Sequence, residues 1–531
     1  MAARLKFWGW GREDVVLGAE EIRRLEAAYA ERFRLSGFEV TPTPRAEDIA
    51  LRAPRLAVPG ALADICSTDH YERLLHSYGK SFFDSARAFA RDFANPPDAV
   101  ACPRTEADIV TVLDWCDAVD AVLIPYGGGS SVVGGVEPPR TDRPVVTLDL
   151  RHLDRVLEVD ETSQAARIQA GVYGPSLENQ LKASGLTLRH FPQSFEFSSL
   201  GGWIATRGGG HYATLYTHID EFVESLRVVT PAGTLQSFRL PGSGAGPSPD
   251  RMFIGSEGTL GVITEAWMRL RRRPAFRAST SVRFRDFYRA AECVRAIGQS
   301  HLYPANCRLV DADEAMVNGA GDGSHAILVL TFESADRPQD QPMQRALEIV
   351  RAHGGEYDEQ APGRDGAQRE GAAGQWRDAF IRMPYQREAL TPRGIIVETF
   401  ETAITWDRFP DFHARVKAAT ENAIREVTGK PGLVTCRFTH VYPDGPAPYF
   451  SFHAAGDKRR MIEQCWQIKI AASEVLNRLG GTITHHHAVG RDHRRWYDRQ
   501  RPELFAQAML AAKKRLDPKG MLNPGVLFDP A

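Results

Sequence analysis

The chain has 531 residues, 65 Lys and Arg against 67 Asp and Glu for a formal net charge of −2, and 43% hydrophobic residues. Such a balance leaves no electrostatic footprint for nucleic acid or for a bulk anionic membrane, and no run reaches the ~18–20 apolar residues of a membrane span. Seven cysteines, an odd number without a CxxC pair, argue against a disulfide framework or zinc ribbon and for reduced thiols in a cytoplasmic protein.

The first residues carry Arg4 and Lys6 but no apolar signal-peptide core, and the closing Leu527-Phe528-Asp529-Pro530-Ala531 is not a Ser-Lys-Leu-type address. Residues 1–94 read as a helical extension, with helix-like spacing at 19–25 and 71–79 and a Pro-rich surface connection at 45–59. From 95 to 275 short strands and helices mix. Thr105 is a candidate N-cap, and strands are expected at 121–125, 144–149, 166–170, 226–230 and 234–238. The stretch 241–249 reads as a flexible insertion. From 276 to 470 strands at 281–284, 326–332, 395–400, 433–442 and 449–453 alternate with helices at 287–299, 341–353 and 409–427, as in a ferredoxin-like sheet with helices on one face. Residues 355–375 are polar and expected to be mobile, and 471–531 form a largely helical C-terminal segment. The class is α+β.

Three glycine-rich segments carry the chemistry. Pro125-Tyr126-Gly127-Gly128-Gly129-Ser130-Ser131-Val132-Val133-Gly134-Gly135 follows a strand, and its backbone amides can approach a pyrophosphate closely. Val132 breaks the Rossmann fingerprint, and no Lys follows to make a Walker A loop. The second runs from Pro192 to Gly210 and includes Ser198-Ser199-Leu200-Gly201-Gly202-Trp203, with a helix expected to start at Trp203. The third is Gly255-Ser256-Glu257-Gly258-Thr259-Leu260-Gly261, a tight turn into a strand. Taken singly, each also fits a structural turn.

Together with Asp517-Pro518-Lys519-Gly520-Met521-Leu522-Asn523-Pro524-Gly525, these segments occur in an order that resembles the FAD-binding family of vanillyl-alcohol oxidase and p-cresol methylhydroxylase. The resemblance implies a two-lobed FAD-binding domain over 95–275, a cap domain over 276–470 and a tail that returns to the flavin. It implies FAD contacts from Pro125, Gly127, Gly128, Gly129, Ser130 and Ser131 at the pyrophosphate. Gln193, Ser194, Ser199, Gly202, Thr206 and Arg207 would surround the ribityl chain and flavin. Glu257, Thr259 and Ile263 would meet the adenine half or the dimethylbenzene edge. Relatives that attach FAD covalently use a His or Cys that neither loop carries here, so noncovalent FAD is expected.

The C-terminal half above all, and most of the chain with it, is similar to the alkyldihydroxyacetonephosphate synthase family, on Lys6-Phe7-Trp8-Gly9-Trp10-Gly11, Arg308-Leu309-Val310-Asp311, Val397-Glu398-Thr399-Phe400-Glu401-Thr402, Cys436-Arg437-Phe438-Thr439-His440 and His485-His486-His487. The chemistry implied is exchange of the acyl group of an acyl-dihydroxyacetone phosphate for a fatty alcohol through reduced flavin N5, with no net oxidation. That requires a base for the C1 proton and cations for the phosphate. Tyr449, His485, His486, His487 and Arg387 become the catalytic candidates and Arg308 and Arg437 the substrate-binding ones. If extended, the histidine run would put His485 and His487 on one face and His486 on the other, a poor arrangement for one ion, and no metal is expected. The polar run Tyr449-Phe450-Ser451-Phe452-His453 and Ala488 depart from the family pattern, which keeps an FAD-dependent 2-hydroxy-acid dehydrogenase or oxidase open as the alternative. A flavin-binding protein without catalysis is the third reading, opposed by the clustered His, Arg and Tyr. The substrate is a small molecule or lipid, any membrane contact would be peripheral through an apolar surface patch, and a homodimer is the family expectation.

Overall fold

A computed structural model describes residues 4–358 and 383–528. The stretch expected to be mobile at 355–375 lies outside the described residues from 359 onward.

The first sheet is built from β1 (Cys66–Ser67), β2 (Ala99–Ala101), β3 (Val122–Tyr126) and β4 (Val145–Asp149), in the order β1-β2-β4-β3. The pairs β2–β4 and β4–β3 are parallel. Parallel strands need a crossover; helix Glu106–Ala118 carries the chain from β2 to β3, and residues 127–144 return it to β4 without a helix. Thr105 does cap that helix, in a reciprocal box with Asp108. The glycine loop 127–135 leaves the carboxyl end of β3, the end at which open parallel sheets receive ligands.

The second sheet joins β5 (Val156–Asp160), β6 (Ala165–Gln169), β8 (Val223–Thr230), β9 (Gly233–Gln236) and β10 (Val262–Arg269), all antiparallel, in the order β5-β6-β10-β8-β9. The two-residue β7 (Leu186–Thr187) pairs with β11 (Arg271–Arg272). The first and second sheets share one buried apolar cluster, which includes Ile109, Leu123, Leu148, Ile168, Leu226 and Val262.

The third sheet is six-stranded and antiparallel throughout: β12 (Phe276–Phe284), β13 (Asn306–Val310), β14 (Ala326–Ser334), β15 (Ile395–Glu401), β16 (Leu433–Val441) and β17 (Pro446–Ala455), in the order β12-β14-β13-β16-β17-β15. Helices Phe287–Gln299, Asp340–Ala352, Phe409–Thr428 and Met461–Arg478 cover one face, and the second large apolar cluster lies between them and the strands. Successive strand residues point to opposite faces. Cys307, Leu309, Cys436, Phe438, Phe450 and Phe452 therefore pack under the helices, while Arg308, Arg437, Tyr449, Ser451 and His453 turn to the other side and line a cavity. The polar run 449–453 is thus a strand with one aromatic face and one cavity face.

Among the described residues no helix is long and apolar enough to cross a membrane. The sequence reading missed β1, β2, β5, β7 and β13; β1, β2 and β7 are too short to show a period, and β13 is read only as a motif. It also placed the helix start at Trp203, whereas the helix runs Leu200–Thr206 with Ser199 as its cap, so both glycines sit in its first turn.

The N-terminal extension is fastened to the first sheet by Asp98, which is fully buried. Its carboxylate accepts from the backbone of Val145 and Arg55 at 2.8 Å each and pairs with the guanidinium groups of Arg52 and Arg55. Burial pushes the carboxyl up, but these partners outweigh it and hold the pKa at about 2. Removing one member of such a pair leaves buried charge uncompensated, so Asp98→Ala should lower unfolding stability by about 2 kcal/mol or more. The wild-type contribution is complete above the unfolded carboxyl pKa of about 4 and fades as pH falls toward 2. Denaturant titrations of both proteins across that window check it; equal stabilities at neutral pH would refute it.

Candidate active site

A cavity open to solvent, with about 1700 Å³ of empty space counted together with the solvent at its mouth, runs between the glycine-rich loops and the third sheet. One wall is backbone. Gly127 to Ser131 line it, facing Ser198, Ser199, Gly202 and Thr206. The two segments touch so closely that a Cβ on Gly127 would strike the Ser199 hydroxyl and one on Gly128 the carbonyl of Phe197. Gly129 takes a positive φ of 64° beneath the Tyr126 phenol. The wall therefore offers successive amides without side chains, the form of an anion-binding nest. These residues fit FAD.

The sequence candidates divide here. Gly127, Gly128, Gly129, Ser130, Ser131, Gln193, Ser194, Ser199, Gly202, Thr206, Arg308, Arg387, Arg437, Tyr449, His486 and His487 all line the cavity. Pro125, Arg207, Glu257, Thr259, Ile263 and His485 do not line it. Pro125 lies under Gly258, and Arg207 pairs with Asp220. Glu257 turns away to accept from the backbone of Val489 and Gly490 at 2.8 and 2.9 Å. Burial raises its pKa to about 7 despite those amides. Asn523 donates to the carbonyls of both Gly135 and Glu257, at 3.0 and 2.8 Å, and so ties the tail to the glycine loop.

The histidine run is not extended. It bends around the carboxylate of Glu401, which accepts from the amides of His485, His486 and His487 and from the Thr484 hydroxyl. Burial opposes the charge on Glu401, but the histidines, His486 first, hold its pKa well below the usual carboxylate value. The bend sends His486 and His487 to the cavity and His485 behind them. Burial, reinforced by neighbouring rings, pushes His485, His487 and His440 well below the ordinary imidazole value.

His440 belongs to the same cluster although the sequence reading did not single it out. On a regular strand Thr439 and His440 would face opposite ways. A bulge in β16 between Phe438 and His440 lets both reach the cavity. Ring nitrogens of His440, His485 and His486 lie within 4.8 Å of one another, a spacing that a cation could use. Glu401, Tyr442 and His218 also escaped the sequence reading, because each meets the cluster only through the fold.

On the sheet side the guanidinium of Arg437 lies 3.9 Å from the centre of the Tyr449 ring and bonds Glu314 at 2.5 Å. Arg308 is buried beside it, and burial together with the Arg437 charge lowers its pKa to about 9. Burial raises the Tyr449 phenol above its ordinary value, and its hydroxyl donates to Thr399 at 3.1 Å. Arg387 lines the cavity and donates to the Lys80 carbonyl at 3.0 Å. Two buried guanidiniums, a phenol and two imidazoles thus surround one part of the cavity, an arrangement suited to an anionic substrate and a proton transfer.

Residues 97–239 match the family described as "FAD binding domain" and residues 273–527 the family "FAD linked oxidases, C-terminal domain". The alkyldihydroxyacetonephosphate synthase of Caenorhabditis elegans is 30% identical over 86% of this chain and 80% of its own length. The enzyme of the same name from Dictyostelium discoideum is 27% identical over 98% of this chain and 87% of its own. A solved alkyldihydroxyacetonephosphate synthase superposes with a TM-score of 0.83 at 25% identity, covering 98% of both chains.

Two substitutions test the site. Gly128→Val should lose most of the visible flavin absorbance of the purified protein; full FAD content would remove the loop from the site. Glu401→Gln offers one amide oxygen where two carboxylate oxygens now serve four donors. Hydrogen exchange at 485–487 should accelerate by about tenfold or more, the loss of roughly one charge-assisted bond, and unchanged protection would show that Glu401 does not hold the loop.

Proposed function

We propose that this chain, which belongs to the alkyldihydroxyacetonephosphate synthase family of FAD-linked enzymes, exchanges the acyl group of an acyl-dihydroxyacetone phosphate for a fatty alcohol, a step in ether-lipid synthesis. The observation that carries the reading is the juxtaposition of Arg308 and Arg437 with Tyr449 and His486 on one cavity. Gly127 to Ser131 would hold FAD noncovalently, and in its reduced form it would supply the nucleophilic ring nitrogen for the exchange. The rest falls to side chains. Arg308 and Arg437 take the phosphate, since planar guanidiniums match its oxygens, with Glu314 holding the Arg437 group in place. His486, neighboured by the Tyr449 ring at 6.0 Å between centroids, removes and returns the C1 proton. Arg387 and Tyr449 donate to the departing carboxylate.

The apolar part of the same cavity is lined by Trp10, Tyr29, Val317, Leu390 and Val397. Trp10 and Tyr29 come from the N-terminal extension, before the two family matches begin. We assign this part to the aliphatic chains. The cysteines, all free and mostly buried, suit a reducing cytoplasm. A second reading, oxidation of a 2-hydroxy acid, draws on the same arginines, because a carboxylate would satisfy them as well as a phosphate.

Anaerobic spectra of the purified protein separate the two. Palmitoyl-dihydroxyacetone phosphate should perturb the flavin and release palmitate, and D-lactate should leave it oxidised. Bleaching by D-lactate without palmitate release would reverse the assignment. His486→Ala and Tyr449→Phe should each keep the flavin but lower turnover by ~10²-fold; normal turnover in both would remove them from the chemistry.

A further inference from the structure

The N-terminal motif Lys6-Phe7-Trp8-Gly9-Trp10-Gly11 does more than supply Trp10 to the cavity wall. It grips the helical residues 383–390, which carry Arg387. Tyr385 and Glu388, three apart, share one face of that helix. A Cβ on Gly9 would strike the Glu388 carboxyl carbon, and one on Gly11, at a φ of 72°, would meet the Tyr385 hydroxyl at 2.6 Å. Both positions need glycine because the helix lies against them. The Glu388 carboxylate accepts from the buried Lys6 ammonium at 2.7 Å and from the Trp10 amide, and Lys6 also donates to the Val15 carbonyl at 2.7 Å. Pro384, Gln386 and Arg387 of the same helix line the cavity.

A second hold acts on the guanidinium itself. Arg387 donates to the Lys80 carbonyl at 3.0 Å. The Lys80 amide donates in turn to the Ser131 carbonyl at 2.7 Å, in the glycine loop. Gly79, beside it, has no room for a Cβ against that carbonyl. The Lys80 ammonium donates to the Lys6 carbonyl at 3.0 Å. One residue thus places Arg387 relative to the wall that fits the flavin, and the same residue is tied to the N-terminal motif. The Lys80 carbonyl is neutral, so its bond orients the guanidinium and leaves the charge for the substrate.

We infer that Lys6 and Glu388 are positioning residues for Arg387: through them the N-terminal motif sets the guanidinium where it meets the departing carboxylate. The inference rests on the assignment of Arg387 to that carboxylate. A long side chain left to itself spreads over many rotamers, and a displacement of about 1 Å at a reacting group can cost about 10²-fold in rate. Farther along the chain Glu26 pairs with Arg393 at 2.7 Å, and the Thr41 amide donates to the Pro392 carbonyl at 2.9 Å. These contacts keep the segment in place when the Lys6 grip is removed, so its loss shifts the arginine without unfolding the wall.

The test compares the FAD-loaded wild type with Lys6→Met/Glu388→Gln, with Arg387→Lys and with all three changes together. Removing Lys6 and Glu388 as a pair leaves neither as a buried charge without its partner. The quantity read is the saturating rate of palmitate release from palmitoyl-dihydroxyacetone phosphate, per bound flavin. Loss of the pair should lower that rate by about tenfold in the Arg387 background and by less than about twofold once Arg387→Lys has been made. A merely structural defect costs the same factor in both backgrounds; equal factors, or no loss in either, overturn the inference. Gly9→Ala, which crowds the Glu388 carboxyl, takes the place of the paired change in the same cycle if the paired variant does not fold. If the wild type releases no palmitate, the functional reading fails. In that case, or where Arg387→Lys abolishes release, the cycle is read on the dissociation constant of labelled palmitate by equilibrium dialysis. Weakening that depends on Arg387 then supports the positioning role; equal weakening in both backgrounds, or no binding by the wild type, overturns it.

Discussion

The carboxylate of Glu401 is the constraint on which the rest of the site depends. It sits at the end of β15, fully inside the protein, and gathers the amides of three consecutive residues. Three parallel amides around one anion compel the backbone to curl, and the curl decides which histidine faces the cavity and which stands behind. A buried carboxylate is tolerated because every lone pair has a donor and because the imidazoles lie around it. The position of the histidines is thereby referred to the six-stranded sheet rather than to a loop free to adjust, the kind of rigid support that proton transfer requires.

The sheet supplies the opposite wall by the simplest periodicity in protein structure. Along β17 the aromatic residues Phe450 and Phe452 go to the helices, while Tyr449, Ser451 and His453 go to the cavity. Along β16 the same rule brings Arg437 to the cavity until the bulge suspends it and adds His440 beside Thr439. Charge and apolar packing are thus separated by the thickness of one strand layer.

The glycine loops were legible in the sequence because their chemistry is local: a run without Cβ atoms can do few things, and its order along the chain narrows them further. The capped helix after Thr105, the helix Phe287–Gln299 and the β16–β17 hairpin were legible for the same reason. Glu401 was not, because its partners lie 84–86 residues further on. Nothing in a strand ending Thr399-Phe400-Glu401 announces which amides it will hold. His440 was hidden by the bulge, which defeats alternation at the one place where it matters. Tyr442 and His218 are 224 residues apart and meet only when the hairpin folds over the segment after Gly210. Among the FAD candidates, Glu257 illustrates the converse. Its neighbourhood was read from the loop, but its side chain serves the backbone of the tail side instead of the cavity.

The N-terminal extension enters the cavity wall at Trp10 and Tyr29. It is anchored by Lys6, which donates to Glu388 and to the Val15 carbonyl at 2.7 Å each, and by the Tyr29 phenol at 2.7 Å from His453. The segment therefore acts as a gasket. The His453 contact reaches β17, which pairs with the strand that carries Arg437. A shortened chain confined to the two family-matched portions would keep the glycine loops but lose the cavity wall that Trp10 and Tyr29 supply.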